Sequence, residues 1–139
     1  MDANIVQFDV ENASSISNIR TQVFVKEQGI DLEIDFDGLD EVATHVLVSI
    51  DAEYVGTGRI LSDGHIGRIA VLKPFRGKGV GAKVVESLIG EAEEKNYKRV
   101  YLGSQMHAIG FYKNLGFNTC GTIFMDAGLE HIEMEILLG

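Results

Sequence analysis

The stretch Pro74-Phe75-Arg76-Gly77-Lys78-Gly79-Val80-Gly81 constrains this chain more than any other. It leads out of a β-rich run and straight into a helical one. Its closely spaced glycines permit left-handed backbone and close approach by another molecule. Pro74, the only proline, cannot donate to a sheet ladder and marks the exit from the strand. Beyond the turn, Val80, Val84, Val85, Leu88, Ile89 and Ala92 recur on one helical face, with Glu86, Glu91, Glu93 and Glu94 on the other. A helix start presents backbone N–H groups without internal partners and a partial positive charge. Such a turn is a phosphate cradle.

The charge distribution supports that reading. From His65 to Val85 there is no acid, while Arg68, Lys73, Arg76, Lys78 and Lys83 fall there, in a chain of net charge −9. A basic island of this kind is either a solvated face or a site for a compact anion, and here it coincides with the glycines. The overall −9 argues against sequence-independent binding to nucleic acid or to an anionic membrane. Between Glu27 and Glu53 lie nine acids and no Lys or Arg. They read as a solvated loop or as a negatively lined entrance for a cationic substrate. A calcium loop starting at Glu33 would place Thr44 where the bidentate glutamate is required, so that motif fails.

Two nucleotide motifs are also excluded. A P-loop needs Ser or Thr after its Gly-Lys pair, whereas Gly79 follows Gly77-Lys78. A dinucleotide fold wants an acid about 20 residues beyond its glycines, where Val100-Tyr101-Leu102-Gly103-Ser104 stand.

The remaining pattern describes one domain over residues 1–139. Ile5 to Phe8 suits a first strand. Ile16, Ile19, Val23 and Phe24 then share a helix face, with Ser14 or Ser15 as N-cap and Gly29 as the stop. Strands are expected at Thr44 to Ile50, Tyr54 to Leu61 and His65 to Leu72. After the helix that Asn96-Tyr97 closes come a strand at Arg99 to Gly103 and a short helix carrying Ala108, Tyr112 and Leu115, which Gly116 ends. Phe117 to Ile123 and His131 to Leu138 are the last strands. This order gives an α+β fold, a mixed sheet with helices on its faces. The single cysteine, Cys120, excludes an internal disulfide, and His45, His65 and His131 lack metal-ligand spacing. No run approaches the roughly 18 apolar residues of a membrane helix, and the acidic N-terminus lacks a signal peptide's basic region. A cytoplasmic location is expected.

Arg76-x-x-Gly79-x-Gly81 after Gly67-Arg68-Ile69-Ala70-Val71 resembles the acyl-CoA motif of the GNAT superfamily of N-acetyltransferases. Ala108-x-x-Phe111-Tyr112-Lys113-Asn114-Leu115-Gly116-Phe117 resembles the family's helix-to-strand segment. Val23-Phe24-Val25-Lys26-Glu27-Gln28 resembles the first-helix region of its small bacterial members. The resemblance implies a mostly antiparallel sheet of about seven strands, splayed at a cofactor cleft. It implies acetyl-CoA as acyl donor, an amine acceptor, no metal, and a homodimer as one available assembly.

Carried over by position, it assigns the main chain of Ile69, Ala70 and Val71 to the pantetheine arm. The amides of Gly77, Lys78, Gly79, Val80 and Gly81, with the Arg76 and Lys78 side chains, would take the pyrophosphate. Phe24, Glu27 and Gln28 fall on the acceptor side. Tyr112 corresponds to the tyrosine that protonates the departing thiolate; from spacing alone, without the motif, a core tyrosine with a local hydrogen bond is the favoured reading. A common family acid is missing from the strand before the turn, where Arg68 stands. That leaves Glu27, Gln105 as a water holder, His107, or a water relay to accept the amine's proton. On an ideal helix His107 and Tyr112 point about 140° apart and would not share the cleft. The function implied is acetyl transfer to an amine by direct attack in a ternary complex. The alternative is a non-catalytic acyl-CoA-binding regulatory module.

Overall fold

A computed structural model describes residues 1–139, the side chain of Ile34 excepted. Strand β1 (Asp2–Val6) leads to helix α1 (Val10–Arg20), which runs on as a π-helical segment, Thr21–Glu27. A one-turn helix α2 (Leu32–Asp35) precedes β2 (Thr44–Ile50), β3 (Glu53–Ile60) and β4 (Ile66–Val71). Helix α3 (Val80–Glu94), β5 (Arg99–Gln105), α4 (Ile109–Asn114), β6 (Asn118–Asp126) and β7 (Leu129–Leu137) complete the chain. The seven strands form two antiparallel sheets, ordered β1-β2-β3-β4 and β5-β7-β6. No helix of the described residues is long and apolar enough to cross a membrane.

Helix α1 starts earlier than its apolar spacing suggests. Its N-cap is Asp9, whose carboxylate accepts from the Asn12 N–H at 2.8 Å; Ser14 and Ser15 lie within the helix. Val10 is 93% exposed, so the opening turn faces water and leaves no hydrophobic signal to read. The buried face begins at Ile16 and continues through Ile19 and Val23. The π-helical segment is closed by the Gln28 N–H, which donates to Val23 O at 3.1 Å, and Gly29 at φ 70° ends it.

Strand β2 is buried on both faces: Val46 and Val48 join the core beneath α3, while Leu47 joins α1. Helix α3 lies unusually close to β3. A Cβ on Gly56 would stand 2.5 Å from Val80 Cγ1, and one on Gly58 2.6 Å from Val84 Cγ1. Burying Val84, Val85 and Leu88 completely contributes roughly 1.5–3 kcal/mol each. This contact fixes the start of α3, and with it the glycine turn, against the end of β4.

The two sheets meet at a single point. His65 bridges Tyr101 in parallel, with the Tyr101 N–H donating to Gly64 O at 3.0 Å. The rings of these two residues stack at 4.7 Å, and the Tyr101 hydroxyl donates to Asp63 at 2.5 Å. Beyond this apex β4 remains laddered to β3 and β5 to β7, but not to each other. The strands diverge, and the gap between them is the cleft.

Candidate active site

The cleft has a volume of about 280 Å³. Ile66, Gly67, Arg68 and Ile69 of β4 form one wall, and Leu102, Gly103 and Gln105 of β5 the other. Phe24 and Gln28 close one side, while Ala108 and Tyr112 reach it from the segment after β5. Among the residues expected for the pantetheine arm, Ile69 lines the cleft. Ala70 is buried against α1, and Val71 ends the strand. Strand β4 is bulged where its register with β3 shifts between Thr57 and Arg59, and Arg68 there takes φ 52°.

The glycine turn follows at the end of β4. Gly77 and Gly79 have φ of 76° and 86°, the left-handed region where a Cβ is strained. Gly79 is the N-cap of α3 and supplies no side chain, so no side-chain acceptor competes for the first-turn N–H groups. The first α-helical bond runs from Lys83 N–H to Gly79 O at 3.0 Å. Gly77, Lys78 and Gly79 are exposed, whereas the Val80 side chain is buried in the core, leaving only its main chain for a ligand. Arg76 is already engaged. Its Nη1 and Nη2 donate to the two Glu27 carboxylate oxygens at 2.6 and 2.7 Å, and its Nε to Val71 O at 3.0 Å.

Tyr112 sits close to this turn. The neighbouring Phe111 ring would touch a Cβ on Gly81 at 3.5 Å, so α4 abuts the start of α3. The Tyr112 ring packs edge-on against Phe111 at 5.0 Å and Phe117 at 5.7 Å. Burial pushes its hydroxyl up to about 12, so it is protonated at neutral pH. No hydrogen bond holds that hydroxyl among the described residues, so the local bond of an ordinary core tyrosine is absent.

His107 lines the same cleft, against the expectation from helix geometry. Residues Met106–Ala108 form a 3₁₀ turn and α4 begins at Ile109, so the ideal angle between positions 107 and 112 does not apply. Glu27 does not line the cleft, although Phe24 and Gln28 on either side of it do.

Sequence reasoning missed the far wall: Ile30, Asp126, Ala127, Leu129 and His131. The β6–β7 turn folds back over the opening, which a local turn signal cannot reveal. His131 is buried, with Nδ1 2.9 Å from Leu129 O. A carbonyl only accepts, so Nδ1 donates this bond, and in the neutral tautomer Nε2 is the acceptor.

Part of the acid-rich segment is drawn into ion pairs: Asp35 and Asp40 are buried, while the other acids of the segment are exposed. Arg20, with its side chain 1% exposed, donates to Asp35 at 3.3 Å and to Asp40 at 2.7 Å. Arg59 donates to Asp37 at 2.6 Å and to Asp40 at 2.9 Å, and Arg68 to Asp35 O at 3.1 Å and Asp37 at 3.3 Å. The Arg59 hydrogen bonds hold the Asp37 carboxyl far below its usual range. Three arginines thus neutralise three of the nine acids that suggested a negative entrance. Of those three, Asp35 alone reaches the cleft.

A family model for the acetyltransferase (GNAT) domain matches residues 12–138. The chain belongs to that family. It is 38% identical over 122 residues to the uncharacterized protein YyaT of Bacillus subtilis, covering 84% of this chain and 82% of that one. It is 35% identical over 120 residues to the uncharacterized N-acetyltransferase YjcF of the same organism, covering 84% and 86%. The crystal structure of an acyl-CoA N-acyltransferase from Pseudomonas aeruginosa superposes with a TM-score of 0.86 at 26% identity, covering 97% of this chain and 99% of that one. The fold is therefore the GNAT fold with its splayed strands, and the activity class is acyl transfer from an acyl-CoA to nitrogen.

Proposed function

We propose that this GNAT member transfers an acetyl group from acetyl-CoA to a primary amine by direct attack in a ternary complex. The observation that carries the reading is the conjunction of three features. A cleft opens between β4 and β5, β4 runs on into a helix-start glycine turn, and Tyr112, with no hydrogen bond to its hydroxyl among the described residues, lines the cleft. In this reading the main chain of Ile69–Val71 aligns the pantetheine arm. The amides of Gly77–Gly81, with the Lys78 ammonium, hold the pyrophosphate. Phe24 and Gln28 form the wall against which the acceptor lies.

The amine must first lose a proton, which costs roughly 4.6 kcal/mol at pH 7 for an ordinary ammonium. No carboxylate of β4 is available for this. A water held by Gln105, and in reach of His107 or the free Nε2 of His131, is the acceptor that the cleft's composition favours. The nitrogen then bonds to the thioester carbonyl carbon, the carbon–sulfur bond breaks, and the electron pair leaves on sulfur. Tyr112 donates its O–H to that sulfur. A phenol held near 12 is a weaker acid than a thiol of about 8.5. Its contribution is therefore a hydrogen bond to the leaving thiolate, with solvent supplying the net proton as the product departs.

A cationic acceptor is the finer reading. With Asp35, Asp37 and Asp40 internally paired, it rests on Asp126 at the cleft and on the net charge of −9. The test is release of free thiol from acetyl-CoA in the presence of a polyamine, an amino sugar, an amino acid and a peptide N-terminus, each tried separately. Amine-dependent release with an N-acetylated product by mass spectrometry is expected. A folded protein that binds acetyl-CoA yet acetylates none of these amine classes contradicts the reading.

A further inference from the structure

The Glu27–Arg76 bridge is a polar tie between the π-helical segment and the glycine turn that the mechanism leaves unused. It joins residues 49 apart in sequence through two short parallel bonds, the fork-to-fork geometry that fixes orientation as well as distance. The third bond, from Arg76 Nε to Val71 O, anchors the same side chain to the last residue of β4. Other hydrogen bonds of the turn are local: Phe75 N–H to Leu72 O and Arg76 N–H to Lys73 O. Among the described residues, Glu27 is therefore the turn's long-range polar tether. At the other end, Glu27 belongs to the π-helical segment and is flanked by Phe24 and Gln28, which line the cleft while Glu27 does not. π-helical turns recur where a side chain has to be re-aimed at a functional site. The hydrogen bonds that Arg76 donates hold the Glu27 carboxyl below its usual range and raise Arg76, so each group stabilises the charged form of the other.

We propose that Glu27 and Arg76 form a latch that couples the acceptor-side wall to the glycine turn, with Arg76 acting as a positioning residue and not as a ligand of the pyrophosphate. The inference rests on the acetyl-CoA reading above. It assigns Glu27 neither base catalysis nor substrate contact. A latch of this kind makes an ordered glycine turn and an ordered acceptor wall mutually supportive, so cofactor binding at one prepares the other.

The alternative, Arg76 as a phosphate ligand sequestered by Glu27, predicts the opposite sign in one measurement. Acetyl-CoA is titrated calorimetrically into wild type, Glu27→Gln, Arg76→Gln and the double variant. Amide hydrogen exchange of Val23–Gly29 is followed with and without the ligand. The latch predicts weaker binding in Glu27→Gln, about fivefold or more, and a double variant no worse than Arg76→Gln alone. It also predicts that acetyl-CoA slows exchange at Val23–Gly29 in wild type and not in Glu27→Gln. Tighter binding in Glu27→Gln overturns the latch, as does an exchange response that persists without the Glu27 carboxylate. Absence of acetyl-CoA binding by folded wild type removes the parent reading and the latch with it.

Discussion

Arg20 and Arg76 both meet carboxylates, but in opposite surroundings. Arg20 lies in the interior, its side chain 1% exposed, between Asp35 and Asp40 and beneath the Phe36 ring. Arg76 is 40% exposed and meets a Glu27 that is 34% exposed. Removing one partner from a buried pair strands an unpaired charge, at a cost of about 3–5 kcal/mol. An exposed pair is solvated either way and contributes about 0–1 kcal/mol. The buried group therefore holds the acid-rich segment on the body of the protein, whereas the exposed one can only set geometry. Loss of stability and loss of activity should separate along the same line.

The largest expected effect belongs to neither pair. Tyr112→Phe should lower kcat by about 10²–10³, the worth of a fixed hydrogen-bond donor to a developing negative charge, while acetyl-CoA affinity and stability stay near wild type. Calorimetry, steady-state rates and urea unfolding measure the three quantities. An unchanged rate would reassign Tyr112 to packing. Next comes Arg20→Met, which should lower unfolding stability by about 3–5 kcal/mol, read from the urea midpoint. A loss below about 1 kcal/mol would place this pair with the exposed one and dissolve the contrast.

Acid should act on the buried group in two stages. Burial lowers the His45 pKa, so the unfolded chain binds a proton that the folded one refuses. Stability should therefore fall as pH drops below about 6.5, the unfolded value. Asp37 is held down by Arg59; Asp40, despite its burial, is held down by Arg20 and Arg59. Their contribution is complete above the unfolded value of about 3.9 and is lost progressively as pH falls from there through the depressed folded values. Urea midpoints from pH 7 downwards should show the first stage in full and the onset of the second below about pH 4, and His45→Gln should remove only the first. The smallest change is expected from Glu27→Gln, which should leave the midpoint near wild type in the same measurement. A larger loss would make that bridge a structural support instead of a geometric one.

Much of this was legible in the sequence because it is local. The glycine turn, the apolar face of α3 and the β-rich run of β2 each need only neighbouring residues. The start of α1 was not legible, since Val10 faces water and Asp9 caps without any hydrophobic cue. The π-helical segment was hidden too, because Ile16, Ile19, Val23 and Phe24 fit an α-helix equally well. The charge network was the deepest omission. Arg20, Arg59 and Arg68 meet Asp35, Asp37 and Asp40 only because the first sheet brings distant strands together, and no spacing rule pairs them. Of the run of acids, Asp35, Asp37 and Asp40 therefore belong to an ion cluster, while the other six remain exposed. At the site, the helix rule for His107 failed where a 3₁₀ turn replaced the helix. His131 entered the cleft through a hairpin whose fold-back has no local signature.

The central claim is that the gap between β4 and β5, ending on the Gly77–Gly81 turn, is an acyl-CoA site. Calorimetric titration of acetyl-CoA into the purified protein tests it most directly, with NADH and ATP as controls. Saturable binding of acetyl-CoA, with none of the NADH or ATP, is the predicted result. No heat of binding from a folded sample, or equal binding of all three, would contradict it.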